Sequence, residues 1–358
     1  MSLRYRKRIG IAPGLRANVS KGGVSTTIGP RGASITVGEQ GVYVNVGLPG
    51  TGLSFRKRID TLFMKKQEAI ADQQHKEDTN MAYSAQITRA NPTALLFLID
   101  QSGSMEDTMS STGRPKAQQV SDVLNRTLGN LITRCSKSEG VRNYFEVGVL
   151  AYGGNGVYNG FHGALSSRIL NPISEFPALS RIEKRKKKMD DGAGGLVEQE
   201  IGFSVWFEPQ ASGGTPMCEA ITCAAEELAV WCDAHPDSYP PTILHVTDGE
   251  STDGDPEPLA AQLRQIQTND GPVLMFNLHL SSSGANPIAF PTSELALPND
   301  YAKMLFRASS VLPDRMIRIA QEKAYLIEKE ARGFMFNADA EELVNFFDIG
   351  TPGPGALR

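Results

Sequence analysis

Only four cysteines, Cys135, Cys218, Cys223 and Cys232, occur in 358 residues. That is too few for a disulfide framework and points to a reducing, cytoplasmic setting. From Cys218 to His235 the pattern C-x4-C-x8-C-x2-H is not a zinc spacing, so these thiols read as small buried apolar groups. No apolar run approaches the roughly 18 residues of a membrane span, and none follows the basic start MSLRYRKRIG. Neither a span nor a secretory signal is therefore expected. The chain has no G-x-x-x-x-G-K-[ST], no G-x-S-x-G and no H-E-x-x-H, and its G-N-G-V-Y-N-G lacks dinucleotide spacing. Phosphate-loop, serine-hydrolase and zinc-protease chemistry have no carrier here.

What is present centres on residues 94–104, ALLFLIDQSGS. A short unbroken apolar run ending in turn residues reads as a strand buried on both faces. In an open α/β sheet, ligands sit beyond the carboxyl ends of the strands. Asp100, Ser102 and Ser104 stand there as D-x-S-x-S, an oxygen-only set suited to a hard cation such as Mg²⁺. Gly213-Gly214-Thr215-Pro216 leads into an apolar-periodic segment, and TILHV delivers Asp248 in HVTDGES.

Asp100, Ser102, Ser104, Thr215 and Asp248 in this order resemble the metal-ion-dependent adhesion site of the von Willebrand factor A (vWA) family. The resemblance implies an α/β fold, a mostly parallel Rossmann-like sheet flanked by helices. It also implies that those five residues hold Mg²⁺ or Mn²⁺, which ligand type does not separate. Glu250, Asp253 and Asp255 make the last loop acidic, without the D-x-D-x-D-G calcium spacing. Glu250 and Asp253 are expected to tune the site from behind its ligands. His245, inside an apolar strand, reads as a core residue.

Charge divides unevenly. Residues 1–58 hold 10 Lys/Arg against one acidic residue, a net +9, and the remainder carries −13. Within the basic part, IGPRG (28–32), VGEQG (37–41) and VGLPG (46–50) recur every nine residues between β-branched stretches. Each unit reads as a strand and a glycine turn, giving a small antiparallel meander over 3–57. This stretch also resembles a small, functionally uncharacterised bacterial N-terminal domain with such repeats, which implies no activity. Arg4, Arg6, Lys7 and Arg8 at one end and Arg56, Lys57 and Arg58 at the other form a single patch if the outer strands pair. That patch suits an anionic partner such as nucleic acid; the plainer reading is charged edges that block aggregation.

The expected organisation is a basic β-repeat domain at 1–58, a helical then polar linker at 59–90, a vWA domain at 91–350, and a flexible tail at 351–358. The linker's apolar face is Leu62, Phe63, Ala69 and Ile70. Insertions are placed at about 164–200 and 281–331. The first, with RIEKRKKK, Asp190-Asp191 and GAGG, reads as a solvated excursion or as a charged hairpin or excursion near the metal rim; the second contains a long helix at 313–331.

The site chemistry points to binding rather than catalysis. Two carboxylates roughly neutralise a divalent ion, which keeps attraction for one more anion, an Asp or Glu from a partner protein. The alternatives are a nucleic-acid adaptor working through the N-terminal module and a Mg²⁺-dependent phosphohydrolase, which would need a positioned base. The TDGES–TDGD loop resembles bacterial vWA proteins of the tellurite-resistance and stress-response type, implying kinase- or phosphatase-type partners. Self-association through the meander is a further route to assembly.

Overall fold

The computed structural model describes residues 6–12, 15–20, 23–28, 33–38, 41–47, 54–58, 82–190, 196–281 and 286–351, with side chains from residue 82 onward except 187–197. Of the linker expected at 59–90, residues 59–81 lie outside the described residues, as do GAGG, the tail after Thr351 and the side chains of the basic clusters. The chain divides into two units, Met1–Met81 and Ala82–Arg358.

The first unit is a six-stranded antiparallel meander: β1 (Arg6–Ala12), β2 (Leu15–Ser20), β3 (Gly23–Ile28), β4 (Ala33–Gly38), β5 (Gly41–Gly47) and β6 (Ser54–Arg58). Each glycine repeat begins at the end of a strand, where the chain turns. β1 and β6 are the two outer strands and do not pair among the described residues. The pairing on which a single basic patch depended is not found among the described residues. Arg6, Lys7 and Arg8 lie on one edge strand and Arg56, Lys57 and Arg58 on the other, where charge discourages edge-to-edge association.

The second unit is built on a mostly parallel sheet. Its strands are β7 (Thr93–Gln101), β8 (Phe145–Gly153), β9 (Gly156–Asn159), β10 (Asn171–Pro172), β13 (Thr242–Thr247), β14 (Leu274–Leu280), β15 (Ile288–Ala289) and β16 (Phe334–Ala338). A separate hairpin, β11 (Arg181–Asp190) and β12 (Leu196–Val205), leaves the sheet between β10 and β13. The sheet order is β9-β8-β7-β13-β14-β16-β15, with β10 beside β8. β8, β7, β13, β14 and β16 run parallel, and β9 and β15 are antiparallel edges. Counting the six longer strands along the chain, this is the doubly wound order 3-2-1-4-5-6, whose direction reverses between β7 and β13. The α/β class read from the sequence is the one found.

β7 shows why its run is unbroken. Leu95, Phe97 and Ile99 enter one core layer, and Ala94, Leu96 and Leu98 enter the other. The first layer is closed by α1 (Lys116–Cys135), α5 (Asp314–Glu322) and α6 (Ala340–Gly350), the second by α2 (Met217–Ala234) and α3 (Glu257–Leu263). Phe334 and Phe336 of β16 pack with α4 (Asp300–Ala308) in a third cluster. Val120, Val123, Leu124, Leu128 and Leu131 form the buried stripe of α1. Asp339 starts α6 by accepting from the amides of Glu341 and Glu342.

Both insertions depart from expectation in part. In the first, Leu165, Ile173 and Phe176 are buried, so 164–180 contributes side chains to the core. The hairpin that follows is anchored: Arg185 pairs with Asp122 of α1 at 2.8 Å and lies 3.7 Å over the Phe203 ring. Lys184 and Lys186 face Glu200 and Glu198 across the hairpin, at 3.7 and 3.5 Å. In the second, the helix stops at Glu322 instead of running to 331. Ala324 takes a left-handed φ of 66°, Lys323 pairs with Asp348 at 2.8 Å, and Tyr325 packs edge-on to Phe290. Tertiary contacts override the helix formers that follow.

Candidate metal centre

The five candidate residues come from three loops at the carboxyl end of the sheet. Asp100 sits within the end of β7, fully buried, and its Oδ1 accepts from the Ser102 amide at 2.8 Å. The turn then carries Ser102 and Ser104, whose hydroxyls are 3.1 Å apart. Ser104 Oγ donates to Asp248 Oδ1 at 2.6 Å. A Cβ added to Gly249 would stand 3.7 Å from Ser104 Oγ and 3.8 Å from Thr215 Oγ1, so both hydroxyls lie beside Gly249. All five are thus brought together beside the switch point, with Ser104 exposed and Asp100, Ser102 and Thr215 buried.

The loops are held by backbone bonds. Gly213 O accepts from Gly103 N at 3.0 Å, and Ser212 N donates to Gln101 O at 2.8 Å. Gly213 has φ +67°, and a Cβ there would lie 2.2 Å from Gly154 Cα, so only glycine fits. Thr215 N donates to Thr252 Oγ1 at 2.9 Å, and Thr252 N returns a bond to Thr215 O at 3.0 Å. Asp253 accepts from the amides of Cys218 and Glu219 and from Ser251 Oγ. Although partly buried, its carboxyl is held below the usual range by these bonds. Asp253 thus acts as a helix-start cap for α2.

Four residues at the site escaped sequence reasoning. Thr247 Oγ1 donates to Asp100 Oδ2 at 2.7 Å. Lys116, the first residue of α1, is buried with its Nζ 2.7 Å from Asp248 Oδ2. A lysine at a helix's positive end is disfavoured unless an acid holds it, and that was the available signal. His279 stacks on Phe336 and bonds to the Asp248 backbone, and burial pushes its pKa down to about 4. Tyr301 OH lies 3.5 Å from Thr247 Oγ1, and burial raises its pKa far above the usual phenol range. Neither aromatic has a local sequence signal.

Burial, with the nearby Asp248 charge adding to it, pushes Asp100 up to about 6 against the pull of bonds from Ser102 and Thr247. A carboxylate so buried is satisfied by a proton or by a cation. The donor set fits a small hard one. An octahedron with bonds of about 2.0–2.1 Å has edges of about 2.9 Å. The separations of 3.1 Å (Ser102–Ser104) and 2.6 Å (Ser104–Asp248) bracket that edge. Among the described residues no group of three or more His, Cys, Asp or Glu could hold a metal, so thiolate–imidazole sites have no counterpart here.

Behind the site a polar row crosses the sheet. Tyr152 OH donates to His245 Nε2 at 2.6 Å, and His245 Nδ1 donates to Asn277 Oδ1 at 2.7 Å. Asn277 Nδ2 reaches Ser309 Oγ at 2.9 Å. Burial lowers the His245 pKa to about 4 despite the Asn277 bond, so the ring is neutral. His245 is, as expected, a core residue.

Residues 3–56 match a family model described as a protein of unknown function (DUF4236). Comparison with curated protein sequences gives no match. Among solved structures, proximal thread matrix protein 1 from the mussel byssus is similar at 13% identity and TM-score 0.39, over 72% of this chain and 47% of that one. The pilus adhesin SpaC from Lactobacillus rhamnosus GG is similar at 12% identity and TM-score 0.42, over 96% and 35%. Manganese-loaded TRAP protein from Plasmodium vivax is similar at 11% identity and TM-score 0.32, over 72% and 73%. The chain thus spans less than half the length of the first two. No helix among the described residues is long and apolar enough to cross a membrane.

Proposed function

We propose that the second unit is a metal-dependent protein-interaction module of the vWA type, in which Asp100, Ser102, Ser104, Thr215 and Asp248 hold Mg²⁺ or Mn²⁺. The observation that supports this is the convergence of oxygen-bearing side chains from three distant loops at the switch point, with the Ser102, Ser104 and Asp248 oxygens at separations that suit an octahedral ion. Asp100 and Asp248 supply charge, and the hydroxyls supply neutral donors. The bound ion would take one further anion, an Asp or Glu of a partner protein, and lend direction to a larger interface. The chain then acts as an adaptor, in a cytoplasmic stress-response setting with kinase- or phosphatase-type partners.

The arrangement of the nearby histidines favours a binding centre over a catalytic one. His245 has both ring nitrogens engaged deep in the sheet. His279 is packed between Phe336 and Tyr301 and resists protonation. Neither is placed to act as a base toward solvent. The nucleic-acid reading rests on the basic strands of the meander, which are its two outer strands.

The test is affinity capture with the full chain in Mg²⁺, in EDTA and with Asp100→Ala. A partner retained only by wild type in Mg²⁺ supports the reading; equal recovery with Asp100→Ala rejects it. Phosphate release abolished by Asp100→Ala would instead establish the hydrolase.

A further inference from the structure

Lys116 is a buried cation inside an otherwise oxygen-lined centre. Its side chain is 4% exposed, with Nζ 2.7 Å from Asp248 Oδ2 and 3.7 Å from Asp107 Oδ2, which is largely in solvent. The other Asp248 oxygen, Oδ1, accepts from Ser104. One carboxylate therefore faces two ways: Oδ2 toward the ammonium and Oδ1 toward the hydroxyls that would line the ion. Burying a lysine at the positive end of a 20-residue helix is unfavourable on two counts, so the Asp248 contact is what holds it.

We propose that Lys116 is a resident second cation of the metal centre, which weakens the hold on the divalent ion and makes the loaded centre select an anionic ligand. This rests on the metal-site reading above. Asp100, Asp248 and Lys116 together carry a formal charge of −1. A divalent ion turns this to +1. Without Lys116 the same ion would leave the centre neutral. The lysine thus converts a centre that repels an acidic partner before loading into one that attracts it afterwards. Asp107 is exposed and screened, so it does not cancel this change of sign. Lys116 acts here as a specificity residue toward the anion and as a competitor toward the metal.

The experiment is a Mn²⁺ titration of the full chain at pH 8, read from the free-ion electron paramagnetic resonance signal. Acetate serves as the carboxylate probe, read by paramagnetic broadening of its methyl resonance. K116M is expected to bind Mn²⁺ about tenfold more tightly than wild type and acetate several-fold more weakly. K116R is expected to stay within about threefold of wild type in both. K116Q removes the same charge with a polar end and replaces K116M if circular dichroism shows the latter unfolded. Charge-removed protein that binds Mn²⁺ no more tightly, or acetate no more weakly, than wild type overturns the proposal. Wild type that binds no Mn²⁺, or D100A that binds it equally well, overturns the metal-site reading instead.

Discussion

Thr247 Oγ1 donates to Asp100 Oδ2 at 2.7 Å, tying together the ends of the two strands that flank the switch point. The same hydroxyl lies 3.1 Å from Gly249 O, on the loop that carries Asp248. Thr247 therefore orients Asp100 and braces the Asp248 loop. Thr247→Val should lower metal affinity roughly 10–100-fold, in the manner of groups that brace a ligand. It should also cost about 1–3 kcal/mol of stability by stripping a bond from a buried carboxylate. Isothermal titration with Mn²⁺ and urea denaturation read the two effects separately.

The hydroxyl ligands predict a different pattern. Ser104 is exposed, and Ser102 and Thr215 are buried at loop positions fixed by backbone bonds. Ser102→Ala, Ser104→Ala and Thr215→Ala should each weaken metal binding while the fold survives. Saturating Mg²⁺, at about 100 times its Kd, should raise wild-type stability by about 2.7 kcal/mol. EDTA should remove that gain, and Asp100→Ala should never show it. Thermal denaturation with and without Mg²⁺ checks this.

Gly213 makes the Thr215 loop possible by a close approach. A methyl group there would overlap Gly154 Cα and would sit on a left-handed backbone. Gly213→Ala should cost about 1–3 kcal/mol, or more if the loop cannot shift. It should also weaken Mn²⁺ binding by moving Thr215, although neither residue 213 nor 154 faces the ion. Gly113→Ala is the control: its φ is similarly left-handed at 66°, but its Cβ position is open, so metal binding should be unchanged.

His245 predicts an acid-labile component of stability. Its pKa is about 4 in the fold, against an ordinary value of 6.5. Between those values the unfolded chain takes up a proton that the folded ring refuses, so acidification favours unfolding. The loss grows as pH falls from 6.5 toward 4 and amounts to roughly 3 kcal/mol. Asp100, pushed up to about 6, acts with the opposite sign below that pH, since the folded state then holds the extra proton. Comparing the pH slope of wild type with that of His245→Gln cancels the Asp100 contribution. The variant should be less stable at pH 7 but lose less on going to pH 5, as read from urea midpoints.

How much of this was legible depends on the range of the interaction. β7 and β13 could be read because strands buried on both faces must be apolar throughout, and Asp100 and Asp248 interrupt them at their ends. The stripe of α1 and the Asp339 cap were likewise written locally. Lys116, His279 and Tyr301 were not, because each meets the site through sheet order and helix docking. The helix at 313–331 failed for the same reason: Lys323 and Tyr325 are claimed by α6 and Phe290, and a left-handed Ala324 ends the helix. At 164–200, lysine-rich sequence hid the buried Ile173 and Phe176 and the bond from Arg185 to Asp122.

The row from Tyr152 through His245 and Asn277 to Ser309 has a consequence for assembly of the sheet itself. Strands made of leucine, valine and phenylalanine are nearly interchangeable partners, since grease matches grease in any arrangement. A phenol, an imidazole and an amide on β8, β13 and β14 are not interchangeable. With β7 inserted between β8 and β13, Tyr152 must reach over a neighbour to find His245, and one step of slippage would strand three polar groups in hydrocarbon. The row works as a key cut into an otherwise uniform lock: it admits a single stacking of the strands, and that stacking is the one that sets Asp100 beside Asp248.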